Sequence, residues 1–341
     1  MKLCFSLIIP TFNRADLLPL CLESIKKLDY GKDLFEVLVV DNGSTDNIKD
    51  LVLSVFSNSK INYRYFYEPE PGLLSGRHLG AKQAQGNIFV FLDDDVVLSK
   101  EFLKALSKAF EDKSVKLVGG KCLPRYLSSP PEWLNSLWTE KDGIRHCGYL
   151  SLIDQGDLAK ESSPSNIWGL NFSIRRETFF ELGGFNPDNI PKKYQRYQGD
   201  GESGLTRKII SKKYKALYHP NAFVEHLIPA SRLTFDYFYN RQFYQGVCDS
   251  YTNIRNSLNQ TSWEPTFLQK VKYKLKVFFS ETKTERKSVE VNISPEVQKL
   301  NAVMKKGYQD GYNFHQSEVE NDPSLIDWIK KENYLDYKLP I

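Results

Sequence analysis

Short apolar runs and helical stripes alternate along the first third of the chain. Leu7, Ile8 and Ile9 predict a strand, after which Leu17, Leu18, Cys21, Ile25 and Leu28 recur at helical spacing. Residues 35–40 predict a second strand. Ile48, Leu51, Val52, Val55 and Phe56 then fall at i, i+3, i+4, i+7 and i+8, a stripe along one helix face. Residues 61–67 and 88–92 read as the third and fourth strands. Phe102, Leu103, Leu106 and Phe110 mark another helix before an apolar run at 115–118. Strands that are apolar throughout, rather than at alternate positions, are covered on both faces, the condition of a parallel sheet between helices. The pattern therefore predicts an α/β fold.

From residue 122 to 166 the periodicity dissolves into Pro, Trp, Ser and Gly, which predicts a long loop region with few regular elements. Residues 168–174 then read as a strand and 176–182 as a helix stopped by Gly183-Gly184. Beyond Arg255 helical patterns dominate, so the division expected is a domain over 1–245 and a mainly helical extension over 246–341. Within residues 264–280, Phe267, Leu268, Val271, Leu275, Phe278 and Phe279 form an apolar stripe beside Lys270, Lys272, Lys274 and Lys276. Such a helix packs on its own domain with lysines toward water, the favoured reading, or lies on an anionic lipid surface.

Composition narrows the class. The chain is 41% hydrophobic, 26% charged and 13% aromatic, which is ordinary for a globular protein and argues against disorder or a disulfide scaffold. The net charge of +4 gives no reason to expect nucleic acid, although seven Lys and Arg against Glu281 and Glu285 make residues 266–287 locally basic. No apolar run reaches the roughly 18 residues of a spanning helix. The N-terminal run lacks a small-residue cleavage site and reads as a strand, not a signal peptide. Five dispersed cysteines without a Cys-x-x-Cys pair suit reduced thiols in a cytoplasmic protein.

Two acidic features end predicted strands. Asp41 closes the second and opens the turn Asn42-Gly43-Ser44-Thr45-Asp46; Asp93-Asp94-Asp95 closes the fourth. Ligands of open parallel sheets bind at these carboxyl ends. Three adjacent carboxylates repel one another, and a divalent cation with a preference for hard oxygen ligands relieves the repulsion. A solvated turn or a helix cap accounts for the same residues.

The ordered set Ser6-Leu-Ile-Ile-Pro-Thr-Phe-Asn-Arg14, Val37-Leu-Val-Val-Asp41, Gly72-Leu-Leu-Ser-Gly-Arg77-His-Leu-Gly80, Phe91-Leu-Asp-Asp-Asp95, Trp168-Gly-Leu-Asn-Phe-Ser-Ile-Arg175, Gly183-Gly-Phe185, Gly199-Asp-Gly-Glu-Ser-Gly-Leu205 and Val224-Glu-His226 resembles glycosyltransferase family 2 over about residues 1–245. The resemblance implies an inverting transferase of GT-A fold, a Rossmann-like, mostly parallel sheet flanked by helices, that takes a nucleotide-sugar, a UDP-sugar before GDP or dTDP. It implies that Asp41 reads the nucleoside with Pro10, Thr11, Asn13 and Arg14 in the same pocket. It further implies that Asp93, with Asp94 beside it, contacts the ribose, that Asp95 and Asp93 hold Mn²⁺ or Mg²⁺, and that Arg77 supports the phosphates. His78 departs from the family's usual Asn. Glu202 falls at the usual position of the base, with Asp200 as the alternative because Gly201 separates the two carboxylates. His226 is a metal ligand or a structural histidine, the latter favoured. Trp168, Gly169 and Asn171 fall at the sugar and acceptor site.

The acceptor implied is a glycan or a lipid-linked hydroxyl, in polysaccharide assembly at the inner face of a bacterial cell membrane. Two other classes compete. A non-catalytic nucleotide-sugar-binding scaffold would share the motifs. A haloacid-dehalogenase-like phosphatase would use Asp93-Asp94-Asp95-Val96-Val97, but Gly199-Asp200 is followed by Gly204 and Leu205 where that class needs another Asp.

Overall fold

The structure is a computed structural model that describes residues 4–258 and 293–340. The amphipathic segment at 264–280 lies outside the described residues. Among the described residues twelve strands form one sheet: β1 (Phe5–Thr11), β2 (Phe35–Asp41), β3 (Asn62–Tyr67), β4 (Ile88–Leu92), β5 (Val96–Leu98), β6 (Val115–Tyr126), β7 (Thr139–Lys141), β8 (Ile144–Cys147), β9 (Leu152–Asp154), β10 (Lys160–Glu161), β11 (Asn171–Arg175) and β12 (Lys215–Ile228). The order runs β3-β2-β1-β4-β11-β6, with β3, β2, β1 and β4 parallel and β11 antiparallel to both of its neighbours. Beyond β6 the path continues through β9, β8 and β7, while β12 pairs parallel with β6 over a long register and carries β5 and β10. The expected α/β architecture, a mostly parallel sheet flanked by helices with a helical C-terminal region, is the one found.

The apolar runs of β1, β2 and β4 serve both faces. Leu7, Ile9, Val37, Val39, Val90 and Leu92 point to one core, completed by α1 (Leu18–Lys26), α2 (Ile48–Phe56) and α4 (Phe102–Phe110). Ile8, Leu38, Phe89 and Phe91 point to the other, against α3 (Leu73–Gln83), α5 (Arg176–Glu181) and α6 (Gly201–Ser211). Burying both sets removes apolar area from water on each side of the sheet, worth roughly 25 cal/mol per Å². Residue 245, the expected domain boundary, falls inside α7 (Phe235–Leu258), which packs on α8 (Pro295–Asn321). The chain end returns to the second core through α9 (Ser324–Lys330), Tyr334, Tyr337 and Leu339.

The region expected to hold few regular elements carries more than the pattern shows. β6 runs on to Tyr126, and β7, β8 and β9 form an antiparallel meander beside it, with a third apolar cluster of Trp133, Leu137, Leu152, Ile228 and Phe238 beneath. Strands of three or four residues are too short to display a period. Trp133 is buried in that cluster, and Trp138 lies under the Arg145 guanidinium.

Candidate active site

Strand order reverses between β1 and β4, because the chain leaves β1 toward β2 and β3 and returns to its other side. The carboxyl ends of these two strands, Pro10-Thr11 and Asp93-Asp94-Asp95, border a cleft at that point. It has two lobes of about 570 and 400 Å³ that share Arg14, Leu73, Asp93, Asn189, Arg232 and Tyr244. Together these are ample for a sugar nucleotide.

The first lobe is lined by Pro10, Thr11, Asn42, Gly43 and the exposed rings of Phe12 and Tyr67. Asp41 is buried behind this wall; its Oδ1 accepts the Ser44 N–H at 2.8 Å and its Oδ2 the Tyr65 hydroxyl at 2.7 Å. Asn13, at φ +52, is exposed, and its Oδ1 accepts the Thr45 N–H at 2.8 Å. Both side chains brace the 41–46 turn. The Asn42 amide donates to the Glu68 and Glu70 carbonyls, and its Oδ1 accepts the Gly72 N–H. The loop it holds leads into α3.

α3 approaches β1 closely, because a Cβ on Gly80 would clash with Ile8 Cγ2. Helix and strand touch where any side chain would hold them apart, and Arg77 reaches across the strand ends. Its guanidinium is nearly fully buried, donates to Asp93 Oδ1 at 3.0 Å, stands 3.9 Å from Glu202 Oε2 and lies over the Phe185 ring. A surface arginine is thereby excluded. His78, on the same helix, donates or accepts at both ring nitrogens: Nδ1 meets the Tyr334 carbonyl and Nε2 accepts the Phe185 N–H, each at 3.0 Å. Burial lowers its pKa to about 3.

The three aspartates have different fates. The Asp93 side chain is 34% exposed to the cleft; burial of its surroundings raises its pKa against the pull of Arg77. Asp94 turns inward, accepts the Thr11 hydroxyl at 2.6 Å and is raised to about 7 by burial and by Asp95. Burial disfavours ionised Asp95, but the charges beside it, the Arg232 guanidinium among them, outweigh burial and hold the carboxyl well below the usual range. Asp95 Oδ2 accepts from Arg232 at 2.6 Å, while Oδ1 is buried without a hydrogen-bond partner, 3.4 Å from His226 Nε2. The repulsion read from the sequence is thus met in part by arginines.

The second lobe holds Glu202, on the first turn of α6, with Gly169, Tyr149, Tyr237, Arg241 and Asp188. Glu202 Oε1 lies 3.4 Å from the Gly169 N–H. Asp188 is raised to about 6 by burial and by the charge of Glu202. Asp200 is committed elsewhere: its carboxylate takes bonds from Asn186 at 2.7 Å, from Thr252 at 2.9 Å and from Arg207, joining α6 to α7. Asn171 is likewise structural, its amide donating to the Ala222 carbonyl at 2.8 Å. Trp168 bonds the Ser165 carbonyl. Arg232 and Asp188 escaped the sequence reading; both stand outside any apolar pattern and enter the site only through chain folding.

An orphaned carboxylate oxygen beside an imidazole nitrogen fits a divalent cation such as Mn²⁺. Among the described residues no cluster of three or more His, Cys, Asp and Glu could hold a metal by itself. Nor is any described helix long and apolar enough to cross a membrane.

The fold and the acid-lined cleft place the protein among Rossmann-like α/β folds that bind ligands where strand order reverses. The family model "Glycosyl transferase family 2" matches residues 6–182, and the chain belongs to that family of glycosyltransferase enzymes. Validoxylamine A glucosyltransferase of Streptomyces hygroscopicus subsp. jinggangensis is 29% identical over 199 residues, which is 54% of this chain and 47% of that one. Glycosyltransferase AglE of Haloferax volcanii is 36% identical over 116 residues, 34% of this chain and 38% of that one. The chain thus spans about half the length or less of these relatives. The solved mannosyltransferase PcManGT of Pyrobaculum calidifontis, in complex with GDP-Man and Mn²⁺, shares the fold with a TM-score of 0.54 at 18% identity, covering 98% of this chain and 86% of that one.

Proposed function

We propose that the protein is an inverting glycosyltransferase that moves a sugar from a UDP-sugar to a hydroxyl of a glycan or lipid-linked acceptor in a single displacement. One observation carries the reading: in one continuous cleft, a carboxylate on α6 faces the acidic end of β4 across a buried arginine. The first lobe receives the nucleoside between aromatic rings, and the shared region receives the diphosphate. Arg14 and Arg232 supply positive charge there, with Arg77 beside Asp93 in the second lobe. Asp95 and His226, with Asp93 beside them, would hold Mn²⁺ or Mg²⁺, which supplies charge to the departing diphosphate when bound.

A diphosphate leaves without needing a proton, so a single carboxylate suffices, and it acts on the acceptor. Glu202 takes the hydroxyl proton as the acceptor oxygen attacks the anomeric carbon from the face opposite the diphosphate. Asp200 cannot serve without breaking its three bonds. Glu202→Gln is expected to lower transfer by about 10²–10⁴-fold while UDP binding by calorimetry with Mn²⁺ is retained. Unchanged transfer would remove Glu202 as base; nucleotide binding without turnover across a broad acceptor panel would favour a binding scaffold. A lipid-linked acceptor would place the protein at the inner face of the membrane, with residues 264–280 as its contact. Cosedimentation with anionic liposomes at low salt tests that contact, and no binding refutes it.

A further inference from the structure

The turn at Ala230–Arg232, between β12 and α7, delivers Arg232 to the two side chains best suited to a metal. Its Nη2 donates to Asp95 Oδ2 and its Nη1 lies 2.6 Å from His226 Nε2. A guanidinium has no lone pair to offer, so Nε2 is the acceptor. The ring's other nitrogen, Nδ1, then carries the hydrogen and donates to the Leu150 carbonyl at 2.8 Å. That bond fixes the tautomer and aims the Nε2 lone pair at the cleft, the same arrangement that prepares a histidine to ligate a metal.

Nε2 has one lone pair. It can accept from Arg232 or bind a cation, and it cannot do both. We propose that Arg232 and a divalent cation exclude one another at His226, making Arg232 the residue that governs metal entry. The proposal rests on the reading of Asp95 and His226 as the metal-holding pair. Because Arg232 borders both lobes, its displaced head remains in the cleft, where a diphosphate offers a bidentate partner. The metal therefore enters together with an anion that takes up Arg232.

The test is calorimetric titration of Mn²⁺ into the metal-stripped full chain as wild type, Arg232→Met, His226→Ala and the double variant. Arg232→Met is expected to bind Mn²⁺ about tenfold or more tighter than wild type, since a charge-assisted bond no longer has to be broken. In the His226→Ala background the same change should yield little gain. Equal or weaker binding by Arg232→Met overturns the proposal. So does a gain that persists without His226, which would mark a charge effect rather than competition for the lone pair. Should Arg232→Met not fold, Arg232→Lys, which keeps a cation but cannot span both partners, is expected to tighten Mn²⁺ by a smaller factor, and no tightening refutes the idea. UDP binding with Mn²⁺ present, measured on wild type, separates the two levels: its absence counts against the donor reading, whereas UDP binding with no coupling between residues 226 and 232 counts against this inference alone.

Discussion

Gly169→Ala isolates the packing that holds Arg77 between Asp93 and Glu202. Gly169 lies outside the left-handed region, so the backbone accepts alanine and the effect is steric. A Cβ there would meet Arg77 Nη2 at 2.7 Å and Nη1 at 2.8 Å. Real carbon contacts need some tenths of an ångström more, so the guanidinium must retreat. It is buried, seated on Phe185 and bonded to Asp93 through the same Nη2 the Cβ would press, so its displacement is expected to disturb that 3.0 Å bond. Losing one hydrogen bond between charged groups costs about 1.5–3 kcal/mol, or roughly 10–150-fold in a rate that depends on it. The assay is kcat/KM for the donor, with urea unfolding in parallel. Arg77→Lys should cost a similar amount, and the double variant little more than either, because both act on one contact. Wild-type kcat/KM in Gly169→Ala, or full additivity in the double variant, would refute the reasoning.

Other changes address neighbouring parts of the site. Asp200→Ala should destabilise the fold by about 3 kcal/mol in urea unfolding, because it strips partners from Asn186, Arg207 and Thr252, while UDP affinity is retained; lost transfer with unchanged stability would restore Asp200 as a candidate base. Asp188, raised to about 6, has a folded pKa above its unfolded value, so its contribution to stability is present below about pH 4 and lost as pH rises through 6. Asp188→Asn keeps an oxygen for Gln198 and Asn189 but cannot ionise, so its stability relative to wild type should rise by about 2 kcal/mol from pH 4 to 7; a constant difference would contradict the shift. Tyr337→Phe removes the 2.7 Å bond from the chain end to the Pro71 carbonyl on the first lobe's wall, and should cost about 1 kcal/mol in stability and weaken UDP binding. Unchanged UDP affinity would show that the chain end does not shape that lobe.

The strands β1, β2 and β4 of the parallel half were legible because each carries an unbroken apolar run, a signal that needs no neighbour to interpret. The acidic run after β4 was legible for a related reason: three adjacent carboxylates are costly and invite an explanation. Asp200 and Glu202 were not separable in the same way. Two residues apart at the start of one helix, they differ only in what surrounds them, and the partners that occupy Asp200 come from residues 186, 207 and 252. The meander at β7–β9 was hidden because its strands are three or four residues long and paired only with each other and β6.

The sequence by itself determined the layering of this protein, since a continuous apolar strand has to be covered twice and an amphipathic helix once. It also determined which acidic residues end up at strand ends, because strand length places them there. Only the tertiary structure decided what those acids do. Arg77 reaches Asp93 because glycines bring α3 down on β1, and Arg232 reaches Asp95 and His226 after the chain has crossed the whole sheet. Contacts between residues so distant along the chain leave no local period, and charge balance in a buried cleft is set by distances that only the fold supplies.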